Sequence, residues 1–112
     1  MIELIKPKKL KAGDIVATVS LSWGGAGDTD ILWRYKLGKK RLKDNFGLNV
    51  ISMPNSLKGS EYLYNHPEKR AEDLMNAFKD KRIKAIISNI GGEESLRILP
   101  YIDFNIIRNN PK

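Results

Sequence analysis

Three short apolar runs, at residues 15–19, 48–51 and 83–90, alternate with stretches long enough for helices, and this alternation constrains the fold more than any other feature. The first run, Ile15-Val16-Ala17-Thr18-Val19, is mostly β-branched and carries apolar residues on both faces. A strand of that kind suits the interior of a parallel sheet, where both faces are covered. After it, Asp28, Thr29 or Asp30 is placed to cap a helix. Ile31, Tyr35, Leu42 and Phe46 then share one helical face, with Gly38 on the same stripe. Gly47 is the expected helix stop. Residues 54–64 read as a polar connection around Gly59, and Pro67 opens a second helix, an accepted first-turn position for proline. Ala71, Leu74, Met75 and Phe78 recur at i, i+3, i+4 and i+7, the clearest amphipathic stripe in the chain. Beyond the third run come Gly91-Gly92 and a short helix predicted through Glu93 to Leu99 and stopped by Pro100. Asp103 is placed to cap a last helical turn carrying Phe104, Ile106 and Ile107. Strands alternating with helices predict an α/β domain with a parallel sheet and right-handed crossovers.

Composition narrows the functional classes. The chain has 112 residues, enough for one small domain but not for two with independent cores. It has no cysteine, which excludes a disulfide framework, a thiolate metal site and a cysteine nucleophile within these residues. Its single histidine, His66, excludes a histidine-rich metal site. No apolar run approaches the roughly 18 residues of a membrane span, and charge and proline within the first ten residues argue against a signal peptide. Twenty Lys and Arg against 13 Asp and Glu give a net charge of +7. A basic balance can mark a nucleic-acid partner. Here the cations are scattered along the sequence and dominated by lysine, a poorer reader of base edges than arginine. A solvated basic surface is the expectation, with neither a nucleic-acid nor a membrane partner.

In open parallel sheets ligands bind beyond the carboxyl ends of the strands, and two such ends carry glycine-rich loops, at 20–27 and at Gly91-Gly92. The second pair has two readings. Its N–H groups face a ligand anion or a developing oxyanion, or the glycines make a tight turn that needs positive φ. It is neither a G-x-G-x-x-G fingerprint nor a P-loop. In the first loop, Ser22-Trp23-Gly24-Gly25 offers a substrate-facing tryptophan, or Trp23 packs back on the sheet. Glu93 and Glu94 at a helix start are favoured by the dipole whatever the function. His66 reads as a cap or surface residue, and local spacing places no serine or carboxylate beside it to form a nucleophile–base pair.

The order and spacing of several pieces resemble the N-terminal portion of the LD-carboxypeptidase family of serine peptidases. They are Ile5-Lys6-Pro7 with Leu10 and Gly13-Asp14, the loop from Ser20, Tyr62-Leu63, and Arg70-Ala71-Glu72-Asp73-Leu74. Then come Ala77-Phe78-Lys79-Asp80, Gly91-Gly92, Leu99-Pro100-Tyr101-Ile102-Asp103 and Asn110-Pro111-Lys112. Ser22-Trp23-Gly24-Gly25 and the stretch 61–80 look most like the microcin C immunity branch, although Leu21 stands where the family usually has proline. The resemblance implies a three-layer parallel sheet, flavodoxin-like or class I glutamine amidotransferase-like, and truncated. It implies an N-terminal domain over 1–112 of a cytoplasmic hydrolase that works through an acyl-enzyme with no metal and no cofactor. Its substrate would be a small peptide or a peptidyl-nucleotide: a murein tetrapeptide during wall recycling, or an aspartyl-nucleotide amide.

On that resemblance the nucleophilic serine and its glutamate and histidine partners lie beyond Lys112, so no residue of this chain is assigned as catalytic. The residues carried over for oxyanion or substrate binding are Gly91, Gly92, Glu93, Ser22 and Trp23. The sheet would run in the order 2-1-3, with the third strand left as an edge, so a homodimer or self-associating fragment is expected. Two other classes stay open: a stand-alone flavodoxin-like module holding a phosphate or nucleotide, and a basic nucleic-acid-binding domain.

Overall fold

The computed structural model describes residues 3–112. Met1 and Ile2, part of the opening segment whose charge and proline argue against a signal peptide, lie outside the described residues. Three strands, β1 (Ile15–Val19), β2 (Asn49–Ser52) and β3 (Ile83–Ser88), form one parallel sheet in the order β2-β1-β3. β1 is central, as its apolar run requires, and Val16, Ala17 and Val19 are wholly buried. Val16 pairs with Val50 on one side and with Ala85 on the other. The second strand begins one residue later than the apolar pattern suggests, and the third stops at Ser88.

Four helices connect and flank the strands: α1 (Leu32–Phe46), α2 (Ser60–Asn65), α3 (Pro67–Lys79) and α4 (Phe104–Asn109). α3 covers one face of the sheet. Ala77 joins Ala17, Val19 and Ile83 in the core, and Leu74, Leu21, Met53 and Ile86 pack around them. On the edge of α1 toward the sheet, the Tyr35 hydroxyl bonds both Thr18 Oγ1 and Ser52 Oγ, tying the helix to two strands. Gly47 ends α1 in the left-handed conformation at φ 68°, as expected, and its N–H reaches the carbonyls of Leu42 and Lys43.

The structure corrects several expectations. Ile31, not an acidic or hydroxyl residue, occupies the N-cap of α1. The Asp28 carboxylate is engaged elsewhere, accepting the Ser60 N–H at 2.8 Å, while the Asp28 carbonyl accepts from Ile31 and Leu32. Phe46 leaves the predicted stripe and is largely exposed. The supposed polar connection at 54–64 contains most of α2, a six-residue helix whose one buried residue, Leu63, is too little to make a periodic signal. The predicted helix after Glu93 is a 3-10 helix, Ser95–Tyr101, with Pro100 inside it. A 3-10 turn uses i−3 bonds and lacks the i−4 carbonyl against which a proline ring clashes in an α-helix. Asp103 does cap α4, accepting the Asn105 N–H at 2.9 Å.

Lysines from three separate stretches of the sequence gather in space. Lys6, Lys8, Lys9 and Lys11 line one open cleft with Lys81, Lys84 and Lys112, at the end of the sheet where β1 and β3 begin. Among the described residues no helix is long and apolar enough to cross a membrane.

Candidate functional site

The opposite end of the sheet is bound together by small polar side chains. Ser20, directly after β1, is 2% exposed; its Oγ donates to the Ser56 carbonyl at 2.8 Å and accepts from Asn89 Nδ2 at 3.0 Å. The Asn89 N–H donates to the Val19 carbonyl at 2.8 Å. One serine therefore joins the loops that follow all three strands. Asp73, buried on α3, accepts the Asn55 N–H at 3.0 Å and Asn55 Nδ2 at 2.9 Å, which anchors the loop after β2. Burial pushes the Asp73 carboxyl above its usual range, and the bonds from Asn55 oppose that shift.

Above this layer the first glycine loop and the Gly91-Gly92 turn meet. Ser22 Oγ accepts the Glu94 N–H at 2.8 Å. A Cβ on Gly92 would lie 2.8 Å from that same Oγ and 3.3 Å from Trp23 Cβ, so only glycine fits without displacing the loop. Gly92 is not there to supply positive φ. Among the described residues positive φ is confined to Gly13, Gly47 and Gly59, so the tight-turn reading of Gly91-Gly92 is corrected to one of close approach. Trp23 neither packs on the sheet nor stands free. Its ring lies over Gly25, where a Cβ would sit 2.4 Å from a ring carbon, and it remains 42% exposed. A Cβ on Gly27 would meet the Leu57 backbone carbonyl at 2.3 Å, which fixes the far end of the loop.

Gly91, Gly92 and Glu93 are exposed, and among the described residues their N–H groups have no hydrogen-bond partner. A would-be Cβ on Gly91 meets nothing within 4 Å. The turn thus presents a row of free donors beyond the carboxyl end of β3. These donors lead into a 3-10 helix, so an α-helix dipole does not reinforce them.

Sequence reasoning missed the residue that joins these pieces. Arg70 of α3 is 1% exposed, and its Nη1 donates to the carbonyls of Leu21 (3.2 Å), Ser22 (3.1 Å) and Glu94 (3.2 Å). Burial pushes its guanidinium below the usual value, and Arg97 adds to the shift. The available signal was that Arg70, Asp73 and Ala77 share one side of α3, bordering the apolar stripe with two charges of opposite sign. His66 is remote from any nucleophile role. Its Nδ1 lies 2.7 Å from the Tyr62 carbonyl and its ring stacks on Tyr62 at 4.1 Å. No group of three potential metal-ligating side chains occurs among the described residues.

A parallel sheet of order 2-1-3, with glycine-rich loops packed over its carboxyl edge, defines a doubly wound α/β domain, a class in which ligands generally bind at the switch point. The family model described as the LD-carboxypeptidase N-terminal domain matches residues 16–112, and the chain belongs to that family. A probable murein peptide carboxypeptidase of Bacillus subtilis is 32% identical over 111 residues, which is 96% of this chain and 32% of that protein. An MccF-like protein from Streptococcus pneumoniae, solved in complex with AMP, is 42% identical over 88% of this chain and 29% of its own, with a TM-score of 0.79. The microcin C7 self immunity protein MccF in its wild-type apo state superposes at TM-score 0.81 over 97% of this chain and 32% of its own. At 23% identity that match shows the shared fold alone. The chain spans less than a third of the length of the curated relatives it matches.

Proposed function

We propose that these 112 residues are the N-terminal domain of a cytoplasmic serine hydrolase of the LD-carboxypeptidase or microcin-immunity type, and that they supply its oxyanion-binding turn. The nucleophilic serine and its glutamate and histidine partners would lie outside them. The observation that carries this reading is the row of unpartnered N–H groups at Gly91, Gly92 and Glu93, held at the end of β3 by the Ser22–Glu94 bond. When a serine attacks an amide carbonyl, negative charge collects on the carbonyl oxygen. Fixed backbone donors stabilise that charge without reorganising. The Ser22-Trp23 loop, packed against Gly92, would then border the substrate. The acyl group passes to the serine, the amine departs, and water releases the acid.

For the substrate we favour a peptidyl-nucleotide amide, on the 42% identity to a protein solved with AMP. A murein peptide is the second reading, supported by the Bacillus subtilis relative named for that activity and implying a role in wall recycling. Hydrolysis of an aspartyl-nucleotide amide and of a murein tetrapeptide, assayed with the full-length protein carrying this domain, separates the two. Gly92→Val in that protein keeps the N–H but pushes the turn off Ser22 and Trp23, and it is expected to lower kcat by about 100- to 1,000-fold, as the loss of an oxyanion donor does. An unchanged kcat removes the oxyanion role. The 112-residue chain alone is expected to turn over neither substrate, and turnover above buffer overturns the assignment of the nucleophile elsewhere.

A further inference from the structure

A single nitrogen of Arg70 bridges the two halves of the candidate site. Leu21 and Ser22 follow β1, Glu94 follows the Gly91-Gly92 turn, and Nη1 donates to a carbonyl of each. Glu94 is held from both sides, its N–H by Ser22 Oγ and its carbonyl by Arg70. The rest of the guanidinium is idle. Nε and Nη2 are buried without a hydrogen-bond partner among the described residues. Burying a cation with two unpaired donors is costly. A role in simple space-filling would be served better by methionine or leucine. What the cation does accomplish is to fix one loop against another.

We propose that Arg70 is the positioning residue of this site, setting the distance between the Ser22-Trp23 loop and the Gly91-Gly92 turn and so aiming the turn's free N–H groups. The catalytic consequence rests on the oxyanion reading above; the structural one does not. The geometry also makes an unusual demand. Arginine and lysine are not interchangeable where the guanidinium works as a fork. Here one nitrogen makes every contact, and an ammonium carries three donors for the three carbonyls. Arg70→Lys therefore preserves the junction in large part, whereas Arg70→Met abolishes it.

Amide hydrogen exchange on the 112-residue chain tests this directly, because local opening is read residue by residue. In Arg70→Met the Glu94 amide is expected to exchange about tenfold or more faster, after correction for the change at Ala17 in the central strand. In Arg70→Lys it stays within about threefold of the unsubstituted chain. Glu94 exchange that merely tracks Ala17 in the methionine variant, or a lysine variant that behaves like the methionine one, overturns the proposal. Where Arg70→Met does not fold, the lysine variant decides alone. Retained Glu94 protection supports the proposal; its loss, or failure of that variant to fold, overturns it.

In the full-length hydrolase, Arg70→Met is expected to lower kcat by about 10- to 100-fold with KM little changed, since a small misplacement of catalytic groups costs that much. Arg70→Lys should recover most of it. An unchanged kcat in the methionine variant overturns the catalytic consequence, while the exchange result decides the structural role. If the unsubstituted full-length protein hydrolyses neither substrate, the functional reading fails, and the exchange result still decides the role of Arg70.

Discussion

At Gly92 and Asp73 the sequence shows what kind of residue is present but hides why. Gly91-Gly92 is conspicuous between a strand and a helical segment, yet one of its two readings, a turn needing positive φ, holds for neither residue. The operative reason at Gly92 is the Ser22 side chain, 70 positions earlier and 2.8 Å from where a Cβ would lie. Asp73 stands out in sequence only within the stretch Arg70-Ala71-Glu72-Asp73-Leu74, with nothing local to mark it as buried, yet it is 2% exposed and accepts both the N–H and the Nδ2 of Asn55. Asp73→Ala leaves the buried Asn55 N–H unpaired and its Nδ2 with only the Lys69 carbonyl at 3.5 Å, and is expected to cost about 1–3 kcal/mol. Asp73→Asn should cost less, because its amide oxygen still accepts and burial already disfavours the charge. Urea denaturation at neutral pH compares the two. Equal losses would show that the charge, not the hydrogen bonds, is what matters.

Elements differ in how far their own residues determine them. α3 was legible from proline at its start and from its apolar stripe; α2 was not, being six residues long with one buried side chain. α1 lies between these cases. No residue of it is fully buried, and Gly38 sits mid-helix where an added Cβ meets nothing within 4 Å. Gly38→Ala is therefore expected to stabilise the chain by about 0.5–1 kcal/mol, raising the urea midpoint without changing the slope. Between α3 and β3, side-chain hydrogen bonds from Arg82, aided by its backbone N–H, hold the Asp80 carboxyl down at about 2. Because its folded value is depressed, this group stabilises the fold above the ordinary carboxylate value of 3.8. That contribution is lost as pH falls toward about 2. The pair is exposed, so its effect is screened by solvent. The melting-temperature difference between the chain and Asp80→Asn should be largest near neutrality and close across that acid window. A difference independent of pH would detach the ion pair from stability.

For the whole molecule, the open question is what meets the outer side of β3. It is an edge of the sheet in these residues. Ile87 is 37% exposed there, and Lys84 is the strand's only charge. Leu96, Leu99, Tyr101 and Phe104 add exposed apolar surface further along the chain. Unpaired edges with so little charge template pairing with another chain. Self-association of the 112-residue chain is therefore expected, measured by light scattering across a concentration series. A monomer at high micromolar concentration with a cooperative melt would mean that the edge is protected by means other than charge.

The sequence by itself determined the class: local patterns of β-branched runs, a stop glycine, an N1 proline and an amphipathic stripe act within a few residues of where they are written. They fix the strands, the helices and the α/β class, while the order β2-β1-β3 is expected only from the doubly wound fold that the resemblance implies. Only the tertiary structure decided how the site is held. Ser22 with Glu94, Arg70 with Leu21, Ser22 and Glu94, and Ser20 with Ser56 and Asn89 are pairings across 24 to 72 positions. Such bonds leave no periodic trace, because each depends on where two loops end after the sheet has closed between them. The same holds for the lysine cleft, where the run at 6–11 meets Lys81, Lys84 and Lys112 only on folding.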